Sequence, residues 1–250
     1  MRFPPQRPAV AAVAAAAALG LAACGGSSGS APSSAGKPVY GGTLHIVAAS
    51  GPEHIDTVPS YYTADYELER AYTRQLLQYP TAPATTTSSP GWKRTTTPAP
   101  DIATEVPSVA NGGISNGGKT YTFHIKQGVK WDSSPPRQVT ASDFIREFKA
   151  FCNPVSPVGN PTYYESTIAG LTAYCNAETA YFKNKSHKPT APAIANYQNS
   201  HTISGLSAPG PLTLKINLIK PASDFLYMMA MPFTSARPVE YDKYVPNSLE

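Results

Sequence analysis

The sequence predicts an α/β fold behind a secretory leader, and three observations carry that reading. Apolar residues alternate with polar ones around 42–49, 121–131 and 212–218, the period-two signature of strands. They recur at helical spacing around 64–78, 141–152 and 224–231, and a further helix fits 165–182. Two arginines and an alanine-rich run open the chain. Hydrophobic residues make up 41% of 250 residues, enough for a core, while 26 prolines and 18 glycines interrupt it with loops. The charge balance, 20 Lys+Arg against 16 Asp+Glu, argues against a nucleic-acid binder, which carries a basic stripe.

Arg2 and Arg7 precede the apolar run from Ala9 to Ala23. The run falls short of the ~20 residues a spanning helix needs and has the layout of a secretory signal. It ends in Leu21-Ala22-Ala23-Cys24, which resembles the lipobox of bacterial lipoproteins. That resemblance implies cleavage before Cys24, acylation of its thiol and a lipid-anchored protein on the outer face of the cell membrane. Residues 24–38, rich in Gly, Ser and Pro, are expected to form a flexible tether. With residues 1–23 removed the body is nearly neutral, so the membrane is met through the lipid. Gly25-Gly26-Ser27-Ser28-Gly29 matches a nucleophile-elbow pattern and Ser34-Ala35-Gly36-Lys37 a Ser-x-x-Lys pattern. Both need a strained turn or helix start against a packed core, which a tether does not provide.

In the body, Gly42 to Ala49 reads as a strand and 51–62 as a loop. Thr63 is placed to cap a helix from Ala64 to Gln78. Residues 80–110, dominated by Thr, Pro and Ala, read as a long loop or one with short strand pieces. Asn116-Gly117-Gly118 marks a turn before a strand through Tyr121, Phe123 and Ile125, with Val129 and Trp131 in a second extended piece. Thr140 and Asp143 form a capping box. The helix behind it places Phe144, Ile145, Phe148, Phe151 and Cys152 on one stripe and Arg146, Glu147 and Lys149 outside, until Pro154 stops it. Residues 184–201 read as loop and turn, Leu212 to Leu218 as a strand, and Asp224 to Met231 as a short helix.

Cys152 and Cys175 remain once Cys24 is assigned to lipid, and an oxidising compartment favours a disulfide between them. The alternative, a metal site with His187, lacks a fourth ligand and a recognised spacing. The five histidines (45, 54, 124, 187, 201) show no paired metal spacing, and no cofactor is implied. Trp131 reads as a core residue before a stacking one. Glu53, Asp56, Asp65 and Glu67 read as a cap and a surface face rather than a catalytic carboxylate pair, so the chain is read as no enzyme.

Three segments together resemble the bacterial extracellular solute-binding proteins of family 5, the peptide- and nickel-type receptors of ABC importers. They are Gly41 to Ile46 with Ile55-Asp56 and the helix to Leu77; Lys119 to Trp131 with Val139 to Phe144; and Leu212 to Ala230 with Pro232. The resemblance implies a type II periplasmic-binding-protein-like α/β fold with residues 39–60 opening lobe one, 61–200 forming the family's extra domain and 201–250 returning to lobe one. The second lobe is then expected beyond Glu250, which leaves the fold incomplete at that point. It implies a peptide or other small solute as guest and ABC permease subunits as partners. Gly51, Pro52, Glu53 and His54 match a loop facing the family's cleft; a solvated turn is the alternative. Tyr163 and Tyr164 match a position where aromatics reach the ligand; a pair packed against the preceding loop is the alternative. The function expected is the substrate-binding component of an importer, with a truncated or non-transport surface lipoprotein as the second reading.

Overall fold

The computed structural model describes residues 41–43, 45–81, 93, 95–155 and 162–244. The chain divides into two compact units, residues 1–46 and 47–250, and the elements below belong to the second. The leader, the tether and Cys24 lie outside the described residues.

Two short strands, β1 (Leu77–Gln78) and β2 (Ala99–Pro100), pair antiparallel. A four-stranded antiparallel sheet holds β3 (Ile114–Ser115), β4 (Thr120–His124), β5 (Leu206–Gly210) and β6 (Thr213–Asn217) in the order β3-β4-β6-β5. In the central pair Tyr121 faces Ile216 and Phe123 faces Leu214. Period-two alternation puts these four on one buried face and leaves Thr122, His124 and Lys215 on the other. These are the strands the alternation around 121 and 212 predicts. β5 escapes prediction because Leu-Ser-Ala-Pro-Gly does not alternate. It is an edge strand with an irregularity between Ser207 and Gly210, where Pro209 needs no ladder partner for a missing N–H.

The helices around the sheet are α1 (Thr63–Glu69), α2 (Ala141–Ala150), α3 (Thr162–Thr167), α4 (Leu171–Lys183), α5 (Ala191–Ser200) and α6 (Phe225–Met228). α2 starts at the capping box, where the Thr140 N–H donates to the Asp143 carboxylate at 2.8 Å. Its stripe of Phe144, Phe148 and Phe151 meets Tyr164 and Phe233 in an aromatic core in which Phe148, Phe151 and Phe233 all lie within 6.3 Å of the Tyr164 ring, centroid to centroid. Cys152, just beyond α2, and Cys175, on α4, form a disulfide.

Several expectations are corrected. Residues 41–43 and 45–48 form no strand: they pair with no ladder among the described residues, and Ile46 and Val47 are exposed. The helix expected from Ala64 to Gln78 ends at Glu69, and its N-cap is Tyr62 rather than Thr63. The Thr73 N–H and hydroxyl both turn back onto the Glu69 carbonyl, and Leu76 and Leu77 pass into the core beside β2. The helix expected over 165–182 is two, because at Ala169 the chain bonds to Asn217 of β6 and to Gly205 instead of continuing the helical ladder. The Ala169 N–H donates to the Asn217 carbonyl at 2.9 Å, and the Ala169 carbonyl accepts from Gly205 at 2.8 Å. Gly170 takes a positive φ there, and a Cβ on it would collide with Ser204. Residues 184–201 contain α5, whose Pro192 occupies the first turn, where a missing N–H is harmless, and whose Thr190 hydroxyl caps Ala193. Glu147 and Lys149 are buried rather than outside.

The disulfide closes a loop of 23 residues. Replacing both cysteines by alanine is expected to lower the unfolding free energy by about 3 kcal/mol, read from urea denaturation of the two forms.

Candidate ligand-binding site

The charged centre of this unit is Arg237, only 6% exposed. Its guanidinium donates to both Asp56 oxygens at 2.9 and 3.2 Å and lies 3.7 Å from the Glu147 carboxyl. Asp56 is itself held in place: Oδ1 accepts from the Val58 N–H at 3.0 Å, and the Asp56 carbonyl accepts from the Ser60 hydroxyl at 2.7 Å. The Thr57 hydroxyl donates to Glu147 at 2.5 Å. Residues 181 positions apart are thereby joined, with α2 between them. Burial opposes the charge of Arg237, yet Asp56 and Glu147 hold its pKa above the ordinary range. Glu147 is 1% exposed, and burial, against the pull of Arg237, pushes its carboxyl up to about 8. Glu69 is pushed up to about 7, also chiefly by burial.

Beside this node lies a cavity of about 830 Å³, within the range of small-molecule sites. Ile55, Tyr72, Trp131 and Tyr241 supply apolar and aromatic wall, and Glu147 and Arg237 supply charge. The walls are fixed by their own bonds. The Tyr72 hydroxyl donates to the Ile55 carbonyl at 2.6 Å. The Trp131 indole N–H donates to Asp143 at 3.2 Å, and Asp143 also accepts two bonds from Arg137 at 2.9 Å. Arg237 lies over the Tyr241 ring, 4.6 Å from its centroid. Such a site offers flat apolar surface with rigid polar groups.

The sequence-predicted site residues divide. Gly51, Pro52 and Glu53 are exposed, and the N–H groups of Glu53 and His54 donate to buried Asp65 at 2.7 and 3.4 Å. The loop they form runs directly into Ile55, Asp56 and Thr57 of the cavity wall. Tyr164 is 1% exposed, packed among Phe148, Phe151 and Phe233, with its hydroxyl donating to the Met228 carbonyl at 2.9 Å. Tyr163 packs edge-on against it, and neither lines the cavity. Sequence reasoning missed Tyr72, Tyr241, Glu147 and Arg237. It also placed Asp56 and Asp65 on a surface face, whereas both are buried. The signal available for Glu147 was an acid flanked by phenylalanines on an amphipathic helix. Arg237 carries no local signal at all. Among the described residues no group of three or more His, Cys, Asp or Glu is placed to hold a metal, and no helix is long and apolar enough to cross a membrane.

Comparison with known proteins places this architecture. The pattern described as bacterial extracellular solute-binding proteins, family 5 Middle, matches residues 97–248, more than half of the chain. The chain belongs to that family, a family of binding proteins rather than enzymes. A relative described as the probable deoxycholate-binding periplasmic protein YgiS of Escherichia coli (strain K12) is 29% identical over 119 residues, 48% of this chain and 18% of the relative. Among solved structures, clavulanic acid biosynthesis oligopeptide binding protein 2 superposes with a TM-score of 0.61 at 24% identity, covering 83% of this chain and 32% of its own. The pheromone receptor PrgZ, solved for its mode of peptide binding, gives 0.57 at 20% identity, covering 80% and 32%. The fold is thus a mixed α/β periplasmic-binding-like one, and the chain spans about a third of the length of these structures.

Two outcomes follow from the buried node. Arg237→Met leaves Asp56 buried without its counter-charge and is expected to lower stability by about 3–5 kcal/mol; adding Asp56→Leu should recover much of the loss, read by urea denaturation. Folded Glu147 and Glu69 hold protons that the unfolded chain releases near pH 4.5, so their contribution is full below that pH. It is lost as pH rises toward about 7 for Glu69 and about 8 for Glu147. Stability should therefore fall between pH 5 and 8, and Glu147→Gln should flatten that fall when both proteins are unfolded at each pH.

Proposed function

We propose that this chain is part of the lipid-anchored substrate-binding component of an ABC importer, and that its guest is an oligopeptide. The observation that carries the reading is the aromatic-walled cavity of about 830 Å³ in a chain of this family. Peptides suit such walls: a tyrosine or tryptophan ring packs on a flat amide while its polar edge stays satisfied. The names of the similar solved structures, an oligopeptide binding protein and a peptide-binding pheromone receptor, support the same class of guest. Anchorage rests on the lipobox-like Leu21-Ala22-Ala23-Cys24 and the Gly/Ser tether that follows it. In this reading the loop Gly51–His54 borders the bound peptide, whose main chain can pair with an exposed backbone edge. Residues 39–60 and 201–250 serve lobe one and 61–200 the extra domain, with permease subunits receiving the guest.

Thermal shift with a pool of tri- to pentapeptides tests the guest. Peptides are expected to raise the melting temperature, and Tyr72→Ala to weaken the response about tenfold by removing one aromatic wall. A response to deoxycholate, the ligand in the name of the E. coli relative, with none to peptides would replace the peptide reading. For the anchor, labelled palmitate should enter the wild type in cells and not Cys24→Ala.

A further inference from the structure

We propose that the turn after α4, from Lys183 to Lys188, docks the body onto an anionic phospholipid surface. The body is nearly neutral as a whole, but its charge is unevenly spread. From Ser166 to Ser223 the sequence carries five lysines and a single acid, Glu178, which is 0% exposed. Three of those lysines, Lys183, Lys185 and Lys188, crowd the end of α4 and its turn, and all three are exposed. None of the three forms an ion pair among the described residues, whereas Arg74, Arg137, Arg146 and Arg237 each hold a carboxylate. The acids nearest in the fold are engaged or distant. Glu240 and Asp242, on the segment packed against α5, are taken by Arg137 and Arg146. The carbonyl of Glu165 meets Thr172 at the opposite end of α4.

Short bonds hold the turn that carries these lysines. The Asn184 side-chain oxygen accepts from the Ser186 N–H at 3.1 Å and from its hydroxyl at 2.6 Å, and the His187 N–H donates to the Asn184 carbonyl at 2.8 Å. The His187 ring lies flat on the Tyr181 ring, centroids 3.9 Å apart, and Tyr181 is 41% exposed. Three free ammonium groups thus stand around an exposed tyrosine. A lysine is a hydrated point charge on a long apolar stem, suited to a diffuse layer of phosphates rather than to one discrete anion. A tyrosine ring suits the headgroup level of a bilayer, where one edge meets water and the other apolar chains. Each lysine brought to an anionic surface strengthens binding by about fivefold. The inference takes from the proposed function only that the body is held beside a membrane. A lipid on a Gly/Ser tether leaves the orientation of the body open, and this corner selects one.

The test is co-sedimentation of the whole chain, carrying Cys24→Ala so that no lipid is attached, with phosphatidylcholine vesicles holding 30% or no phosphatidylglycerol. Without the lipid, a failure of this surface and a failure of acylation are read separately. The leader is present in every form, so the difference between forms reads the patch. At low salt the partition coefficient onto the anionic vesicles is expected to fall at least tenfold when Lys183→Gln, Lys185→Gln and Lys188→Gln are combined. Lys119→Gln, Lys215→Gln and Lys220→Gln remove the same charge at the sheet, by the opposite end of α4, and should cost less than threefold. Should the first triple variant fail to fold, Lys185→Glu alone should weaken binding at least fivefold. Raising potassium chloride from 20 to 500 mM should erase the difference between wild type and the first variant. Equal partition of wild type and that variant, an equal loss in the two triple variants, or binding to soluble polyglutamate as tight as to the vesicles at equal charge would overturn the proposal.

Discussion

A buried guanidinium holding two oxygens of one aspartate is the constraint from which the rest of this unit is organised. Arg237 and Asp56 are 181 residues apart, and neither can be withdrawn from water without the other. Their pairing brings the segment around 56 and the segment around 237 together over α2, where Glu147 completes the group. A pair of this kind adds little net stability against apolar residues of the same shape. Its effect is directional, because the bidentate geometry admits one arrangement of the two segments.

The aromatic cavity inherits its shape from that arrangement. Ile55 and Thr57 flank Asp56, Tyr241 lies under Arg237, and Tyr72 is tied to Ile55 through its hydroxyl. Trp131 is fixed from the other direction by Asp143, which also completes the capping box of α2 with Thr140 and pairs with Arg137. One carboxylate therefore starts a helix, orients an indole and satisfies a guanidinium. A guest meets walls whose ordering is already accomplished by folding, which lowers the entropy lost on binding.

Helix α2 connects everything else. Its phenylalanine stripe enters the aromatic core around Tyr164, while the flanks of that stripe send Glu147 to the Arg237 node and Lys149 to the Gln198 carbonyl. A helix that carries charge beside its apolar stripe normally leaves that charge in water. Here neighbouring segments cover both flanks, so two ionisable groups become buried and change their protonation behaviour, Glu147 upward and Lys149 downward.

Local chemistry was legible in the sequence. The alternation at Tyr121–Ile125 and Leu212–Leu218, the Thr140–Asp143 capping box and the phenylalanine stripe follow from short-range patterns, and they are present, while the pairing of Cys152 with Cys175 was expected from the cysteine count and an oxidising compartment. The family resemblance was legible for the same reason, since its most specific segment lies within 119–144. Long-range electrostatics was not legible. Nothing near Arg237 announces Asp56, the end of α1 at Glu69 depends on where Leu76 and Leu77 find a core, and the break at Ala169–Gly170 depends on hydrogen bonds to Asn217 and Gly205. Sequence by itself determined which segments want to be strands, helices or turns, because those preferences are set by neighbours within a few residues. Only the tertiary structure decided which charges are buried and which aromatics face a cavity, because desolvation and pairing are set by residues far away in the chain.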